Sequence, residues 1–260
     1  MRMRRKPWTE PLLDSCPYLI NTPREHRGHW RELFSAPEKP LHLEIGCGKG
    51  VSTVKMAHEN QDVNYVAIDE VRHVLAVTIK NAIAEYEGAE VKNLILSAVD
   101  AMFICDTFAP EDKVDRIYIS FPNPWNEKAK QHKRRLTHPR QLMQYRDFLV
   151  DGGEIWFKTD DMALFTESLP YFKACGFEMR YLLNDLHAAG FEPNYVSEHE
   201  LKFTGLGVPI KFVIFKKMPG EVDLDPVRWV MPGAFAKLRE DAQDECDADE
   251  PDEEQEDCEA

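Results

Sequence analysis

The chain has 260 residues, a length that fits one large domain or two small ones. Hydrophobic residues make up 43% of the chain and aromatic residues 10%, which excludes the collagen-like, low-complexity and disulfide-scaffold classes. The formal net charge is -14, but residues 240–260 hold 13 of the 46 acidic residues and none of the 32 basic ones, so the rest of the chain is close to neutral.

The two ends of the chain bear on its location. No apolar run approaches the roughly 18 residues that cross a bilayer, and the basic residues 1–6 lead into Pro7 and polar residues rather than an apolar signal stretch. We therefore expect an unexported, cytoplasmic protein that does not bind membranes. Residues 240–260 contain almost no large apolar side chain, which predicts a disordered, solubilising tail.

Cysteine and histidine spacing argues against a metal site. The 6 cysteines show no C-x-x-C pair, and the 9 histidines are scattered without a pattern that would place two ligands on one helical face. We expect no bound metal and a reducing compartment. The sequence leaves the oligomeric state open, with a monomer as the simpler expectation.

Short apolar runs alternate with helical periodicities from residue 41 to about residue 217. This pattern predicts an α/β fold, a Rossmann-like and mostly parallel sheet with helices on both faces. Seven strands are predicted, at residues 41–45, 65–68, 94–97, 116–121, 154–158, 177–183 and 211–216. Helices are predicted after the first strand to about residue 60, over 71–86 and near 141–149.

The pattern also divides the chain. Residues 1–40 lack clear periodicity, and we expect an N-terminal extension packed on the main domain, residues 41–218. Residues 219–239 are predicted to form a C-terminal extension ahead of the acidic tail. Within the domain, a loop of about 18 residues separates the fourth strand from the helix near 141–149, and so long a loop is usually functional.

The first predicted strand ends in a glycine-rich turn, Gly46-Cys47-Gly48-Lys49-Gly50. Glycines at alternate positions let the backbone approach a ligand closely. The turn lacks the dinucleotide fingerprint, because Val51 takes the place of the third glycine, and it is not a P-loop, because no Ser or Thr follows Lys49. These differences disfavour a nicotinamide-dependent dehydrogenase.

Carboxylates stand at the ends of three successive strands: Glu44, Asp69 and Asp100. Glu44 would repel a pyrophosphate but suits S-adenosylmethionine (SAM), whose methionine end carries an ammonium and a sulfonium. Asp69 lies 23 residues after Gly46, where an acid accepts hydrogen bonds from ribose hydroxyls, and Asp100-Ala101 can bind the adenine amino group. The alternatives are a helix-dipole partner for Glu44 and loop caps for the two aspartates. Together the three acids predict a SAM site.

The fourth strand leads into Phe121-Pro122-Asn123-Pro124-Trp125. Ligands of open α/β sheets bind beyond the carboxyl ends of the strands, which places Asn123 beside the methyl donor. A basic stretch follows, with Lys128, Lys130, Lys133, Arg134 and Arg135. Such a patch is an electrostatic footprint for phosphates, and the alternative is a solvated basic loop.

Two later segments point to the same crevice. Thr159-Asp160-Asp161 ends the fifth strand, and Ser197-Glu198-His199-Glu200 precedes a glycine-rich turn. A carboxylate matches the two adjacent N–H donors on the Watson–Crick edge of guanine, so Glu200 is the candidate reader of that base. The alternatives are an N-cap at Thr159 or Asp160 and a capping box, Ser197-x-x-Glu200, that starts a helix.

These segments together resemble the bacterial tRNA (guanine-N7) methyltransferase family. The resemblance runs from residue 1 to about Lys217, and it rests on the glycine-rich turn, the Pro-Trp loop with Lys133-Arg134-Arg135-Leu136, Phe157-Lys158-Thr159-Asp160, Asp185-Leu186-His187 and Ser197-Glu198-His199-Glu200-x-Lys202-Phe203.

The resemblance implies a class I, SAM-dependent enzyme that methylates N7 of a guanosine in the variable region of tRNA. It further implies roles for individual residues. The SAM site would comprise Glu44, Gly46, Gly48, Gly50, Asp69, Asp100, Ala101 and Asn123. The guanosine would be held by Lys128, Asp160, Ser197, Glu198, His199 and Glu200. The tRNA backbone would meet Lys130, Lys133, Arg134 and Arg135.

The sequence departs from the family pattern near the predicted catalytic residue. Asn123 stands where the family has Asp, and Ser197 and His199 stand where it has Thr and Tyr. The loop is one residue longer, so the family lysine falls on Lys128 or on Lys130. Guanine N7 carries a lone pair and no proton, so methyl transfer needs positioning rather than a general base, and we expect a slower but active enzyme.

Two other functions remain open from the sequence. Asn123-Pro124-Trp125 also resembles the Asn-Pro-Pro-aromatic loop of methyltransferases that act on exocyclic amines. A tRNA-binding relative that has lost catalysis would keep the basic loop without binding SAM.

Overall fold

A computed structural model of the protein describes residues 6–222. Its framework is an eight-stranded sheet in the order β1-β4-β3-β2-β5-β6-β8-β7. The strands are β1 (Leu19–Ile20), β2 (Leu41–Ile45), β3 (Asn64–Asp69), β4 (Leu94–Ala98), β5 (Val114–Ser120), β6 (Leu149–Thr159), β7 (Phe177–Leu183) and β8 (Lys211–Lys217). The pairs from β1 to β6 are parallel, whereas β8 runs antiparallel to both β6 and β7. The prediction of a mostly parallel α/β sheet is confirmed.

The strand count differs from the prediction by one. The additional strand, β1, lies in the N-terminal segment and pairs in parallel with β4. Two residues are too few to produce a period of 2, so the sequence pattern carries no signal for this strand. The segment also contains the helix α1 (Thr9–Ser15), which packs against α3, and Trp30, which is fully buried.

Five further α-helices connect the strands within residues 6–222: α2 (Val51–Glu59), α3 (Arg72–Glu85), α4 (Pro139–Phe148), α5 (Met162–Ala174) and α6 (Glu198–Gly205). The predicted helix over 71–86 is α3, and its apolar period buries Leu75 and Ile79 in the core. Pro139 begins α4, where a missing backbone N–H costs no helical hydrogen bond.

Helices cover both faces of the sheet, as alternate residues of β6 make clear. Phe157 stacks on Phe165 and Phe172 of α5. Its neighbour Trp156 points to the opposite face, into a cavity of about 270 Å³ that is also bordered by Met56 of α2. Because successive side chains of a strand alternate, α2 and α5 lie on opposite sides of the sheet.

The order of the strands fixes where a ligand can bind. The chain moves from β2 outward to β3 and β4, and then returns to place β5 on the other side of β2. In open α/β sheets the crevice lies at such a switch point, beyond the carboxyl ends of the strands. Here that point is between Ile45 and Ser120, where the glycine-rich turn and the Pro-Trp loop begin.

Two predictions lie outside the described residues. The acidic tail over 240–260 belongs to this group, and so does the C-terminal extension from residue 223 onward. Within residues 6–222, none of the helices combines the length and the hydrophobicity that a membrane crossing requires.

Candidate active site

The glycine-rich turn is held by hydrogen bonds to the neighbouring strand, β3. The backbone N–H groups of Gly46 and Cys47 both donate to the carbonyl of Ile68, at 2.8 and 3.0 Å. Gly50 precedes α2 with φ of +67°, and a Cβ there would lie 2.2 Å from the side chain of Thr78. Only glycine fits this position, because both the left-handed backbone and the contact exclude a side chain.

Glu44 lies at the end of β2 and is buried, with 4% of its surface exposed. Its Oε2 accepts a hydrogen bond of 2.5 Å from the hydroxyl of Thr53, and among residues 6–222 the carboxylate forms no ion pair. Burial raises the pKa of Glu44, while the hydrogen bond from Thr53 and the charge of Lys158 oppose that rise. A buried carboxylate without a cation in contact fits a positively charged ligand group at this site.

Asp69 and Asp100 lie at the ends of the next two strands and anchor loops. Asp69 accepts hydrogen bonds from the backbone N–H groups of Gly48 and Val71, both at 2.9 Å, and burial raises its pKa. Asp100 caps the 3₁₀ helix Ala101–Asp106 by accepting from the N–H of Met102. The cap anticipated as an alternative is therefore present in both cases. A carboxylate has about four acceptor positions, so each aspartate can still accept bonds from a ligand.

The Pro-Trp loop is tightly turned. Asn123 is exposed, and its Oδ1 accepts a hydrogen bond of 3.0 Å from the backbone N–H of Trp125. Phe121 and Trp125 both have positive φ, a conformation that costs free energy in residues with large side chains. The guanidinium of Arg134 lies 5.2 Å from the centre of the Trp125 ring. Strained backbone of this kind is concentrated at functional sites.

Arg135 does not lie on the basic surface with its neighbours. Lys128, Lys130, Lys133 and Arg134 are exposed, but the side chain of Arg135 is only 1% exposed. It donates to the carbonyl of Pro124 at 2.7 Å and to Oδ1 of Asn126 at 2.9 Å, and it forms an ion pair with Glu167 of α5. The predicted contact of Arg135 with the tRNA backbone is therefore corrected, because its donors hold the loop onto α5.

Glu200 also has a different role from the predicted one. Its side chain is fully buried, Oε2 accepts from Lys158 Nζ at 2.8 Å, and Oε1 lies 2.8 Å from both His187 Nε2 and Asn194 Nδ2. Although burial alone would raise it, these three partners hold the pKa of Glu200 below its usual value. Since both oxygens are engaged inside the protein, the prediction that Glu200 reads guanine is corrected.

The start of α6 borders the cleft. The hydroxyl of Ser197 accepts from the N–H of Glu200 at 3.1 Å, so the cap considered for Ser197 is formed. The ring of His199 contacts those of Phe121 and Phe203, with centroids 4.7 and 4.4 Å away. Its Nε2 is 3.0 Å from Oδ1 of Asp160. These contacts join α6, the Pro-Trp loop and the end of β6.

A cleft of about 200 Å³ lies where these elements meet. Its lining combines the whole glycine-rich turn with the first residues of α6. The lining residues are Glu44, Gly46, Cys47, Gly48, Lys49, Gly50, Val51, Ser52, Ser120, Phe121, Ser197, Glu198 and His199. The structure thus brings the predicted methionine end of the SAM site together with Ser197, Glu198 and His199. Asp69, Asp100, Asn123 and Lys128 do not line this cleft.

Comparison with known proteins identifies the family. A sequence model described as "Putative methyltransferase" matches residues 38–213. A tRNA (guanine-N(7)-)-methyltransferase of Clostridium perfringens is 48% identical over 220 residues, covering 84% of this chain and 100% of that protein. The protein of the same name from Acetivibrio thermocellus is 47% identical over 219 residues, with the same coverage. The chain belongs to the tRNA (guanine-N7)-methyltransferase family.

Solved structures agree on the fold of this family member. The crystal structure of the 16S rRNA methyltransferase KamB has a TM-score of 0.52 at 13% identity and covers 73% of this chain and 91% of that one. An antibiotic-related methyltransferase has a TM-score of 0.50 at 19% identity, with coverage of 73% and 90%. At such low identity these two structures show the shared class I methyltransferase fold alone.

Several residues in and around this candidate site were missed from the sequence. Lys158 and Asn194 bind Glu200, Asn126 joins Arg135 to Asp161, and Lys49 lines the cleft. Lys158 had a usable signal, because a lysine inside the apolar run of β6 is costly unless it is paired. Asn126 carries no comparable signal, since its partners are distant in the sequence.

Proposed function

We propose that the protein transfers a methyl group from SAM to N7 of a guanosine in the variable region of tRNA. The observation that carries this proposal is Glu44, a buried carboxylate that has no ion-pair partner among residues 6–222 and that lines the cleft with the glycine-rich turn. Relatives that share nearly half of their residues with this chain over their whole length carry that enzyme name, which supports the same conclusion.

The cofactor site in this proposal follows the ends of β2, β3 and β4. Glu44 and the glycine-rich turn hold the methionine end, Asp69 accepts hydrogen bonds from the ribose, and Asp100 with Ala101 binds the adenine. SAM bound there supplies an electrophilic methyl group on a sulfonium. Because Glu44 is shielded from water, its negative charge acts strongly on a nearby cation.

The acceptor guanosine is proposed to bind between the Pro-Trp loop and the start of α6. Guanine N7 attacks with its own lone pair, so the protein has to orient the base and exclude water rather than remove a proton. The rings of Phe121 and His199, whose centroids are 4.7 Å apart, offer an aromatic surface for a base. Asn123, Lys128 and Asp160 are the polar residues assigned to position the guanosine, and Asn123 also completes the SAM site.

The tRNA backbone is proposed to contact Lys130, Lys133 and Arg134, which are exposed on the short 3₁₀ helix Ala129–Arg134. Phosphate contacts position a nucleic acid without reading its sequence. A protein that modifies tRNA works where tRNA is found, so we propose a cytoplasmic location.

Nucleoside analysis tests the proposed function. The purified full chain is incubated with unmodified tRNA and isotope-labelled SAM, and the RNA is digested to nucleosides and examined by mass spectrometry. We expect label in 7-methylguanosine, and a strong loss of label with Glu44→Gln. Label in an exocyclic N-methyl nucleoside, or salt-sensitive tRNA binding without SAM affinity, would contradict the proposal and favour one of the two alternatives.

A further inference from the structure

An ion pair lies at the mouth of the cleft. Nζ of Lys49 is 2.5 Å from Oε2 of Glu198, and both side chains are about half exposed. Lys49 stands in the glycine-rich turn, and Glu198 is the first residue of α6. The two charges therefore join the two walls of the cleft in which the methionine end of SAM is placed by the proposed function.

The backbones that carry these charges are anchored, while the side chains reach solvent. The carbonyl of Lys49 accepts from Nδ2 of Asn81 at 2.8 Å, and the carbonyl of Gly48 accepts from the hydroxyl of Thr78 at 2.9 Å. Glu198 follows the N-cap residue Ser197. Exposed ion pairs add little to stability, so this pair can open without disturbing the fold.

The charges of the cleft match those of the proposed ligand. Three charged side chains line the cleft within the described part of the chain, and they are Glu44, Lys49 and Glu198. Their formal sum is one negative charge. The amino-acid end of SAM presents an ammonium, a sulfonium and a carboxylate, whose sum is one positive charge. The adjacent Lys49 and Glu198 are also complementary to the adjacent carboxylate and ammonium of the ligand.

We propose that Lys49 and Glu198 recognise the zwitterionic amino-acid end of SAM, with Lys49 binding the carboxylate and Glu198 binding the ammonium. The inference rests on the proposed function. Ligand entry exchanges one ion pair within the protein for two between protein and ligand. Glu198, which the family resemblance assigns to the guanosine, becomes a cofactor residue under this proposal. Glu44, deeper in the cleft, is left to face the sulfonium.

Binding of four adenosine ligands by isothermal titration calorimetry separates the two charges. S-adenosylhomocysteine carries both groups, its decarboxylated analogue keeps only the ammonium, its deaminated analogue keeps only the carboxylate, and 5′-methylthioadenosine has neither. A charge-assisted hydrogen bond predicts about tenfold tighter binding for each group retained. All measurements use the full chain and require no catalytic turnover.

Three variants give distinct expected results. Lys49→Met removes the preference for S-adenosylhomocysteine over the decarboxylated analogue, and Glu198→Gln removes the preference over the deaminated analogue. Neither changes the affinity for 5′-methylthioadenosine. The double variant Lys49→Glu with Glu198→Lys retains an ion pair but still binds S-adenosylhomocysteine weakly. The matched control is Lys55→Met, since this exposed lysine pairs with Glu59 at 3.7 Å and does not line the cleft.

Other outcomes would overturn the inference. If the ion pair only joins the loop to the helix, Lys49→Met should lower the affinity for all four ligands by the same factor, and the charge-swapped variant should restore those affinities. Unchanged affinities in both single variants would also exclude the proposed role. If none of the four ligands binds the unaltered protein, the proposed function itself fails. If they bind without the predicted selectivity, only this inference fails.

Discussion

Replacing Lys158 with methionine removes the cation from the buried network around Glu200. Lys158 Nζ donates to Glu200 at 2.8 Å, to Oδ1 of Asn194 at 3.0 Å and to the carbonyl of Tyr195 at 3.3 Å. Its side chain is 12% exposed, and that of Glu200 is fully buried. The substitution therefore leaves a carboxylate in the interior without its principal counter-charge.

The size of the effect follows from that burial. Removing one partner of a buried ion pair costs about 3 to 5 kcal/mol. His187 and Asn194 still contact Oε1 of Glu200, so we expect a loss near 3 kcal/mol, or a decrease in Tm of about 6 to 12 °C for a domain of this size. Lys173→Met, which removes an exposed lysine from α5, serves as the matched control and changes Tm little.

The loss also depends on pH in a defined direction. In the unaltered protein the pKa of Glu200 is held below its usual value, so its stabilising effect is present at neutral pH and is lost as pH falls through the folded-state pKa. In Lys158→Met, burial without the cation raises the pKa of Glu200. The variant is then least stable relative to the unaltered protein at neutral pH, and the difference shrinks as pH falls toward about 4.5.

Urea denaturation from pH 4.5 to 8 of the unaltered protein, Lys158→Met, Glu200→Gln and the double variant measures these terms. We expect the double variant to recover at least half of the stability that Lys158→Met loses, because it no longer buries a charge. A double variant as unstable as the sum of the two single variants, or a loss independent of pH, would refute the interpretation of this network.

Three further predictions concern other residues. Asn123→Asp keeps the acceptor for the Trp125 N–H and adds a negative charge near the cationic purine. The rate of single-turnover methylation therefore stays constant or rises up to about tenfold. A large loss of rate would contradict the positioning role of Asn123. Arg134→Ala weakens tRNA binding in filter assays, and the slope of log affinity against log salt concentration becomes smaller by about 1. Arg135→Ala mainly lowers Tm, because its side chain is buried. The reverse pattern would contradict the burial of Arg135. Burial, aided by the charge of Arg116, lowers the pKa of His42 to about 3. The free energy of unfolding therefore falls as pH decreases below about 6.5, and His42 contributes at most about 1.4 kcal/mol per pH unit to this fall. If His42→Gln left the pH dependence of stability unchanged, His42 would not be its source.

Much of the fold follows from the sequence because the signals are local. Apolar runs mark β2 to β5, and the period of α3 is visible along 14 residues. The start of β6 at Leu149 was missed, since Asp151-Gly152-Gly153 reads as a turn although the strand continues through it. The edge strand β1 has only two residues and no local signature.

The site could be predicted only in part, because burial of a charge depends on partners far along the chain. The type and spacing of Glu44 and Asp69 are local properties. Arg135 is buried by Glu167, 32 residues away, and Glu200 is buried with Lys158, 42 residues away. Nothing in a basic stretch tells which arginine turns inward, and a glutamate at the start of a helix looks the same whether it meets solvent or a buried lysine.

The proposed function depends most on N7 of guanine as the methyl acceptor. A tRNA in which 7-deazaguanosine replaces the variable-region guanosine has a carbon in place of N7 and keeps the exocyclic amine. Transfer of label from SAM to this tRNA and to the unaltered tRNA, measured in parallel with the full chain, compares the two acceptors directly. The proposed function predicts labelling of the unaltered tRNA and none at the substituted position. Equal labelling of both at that position would contradict it.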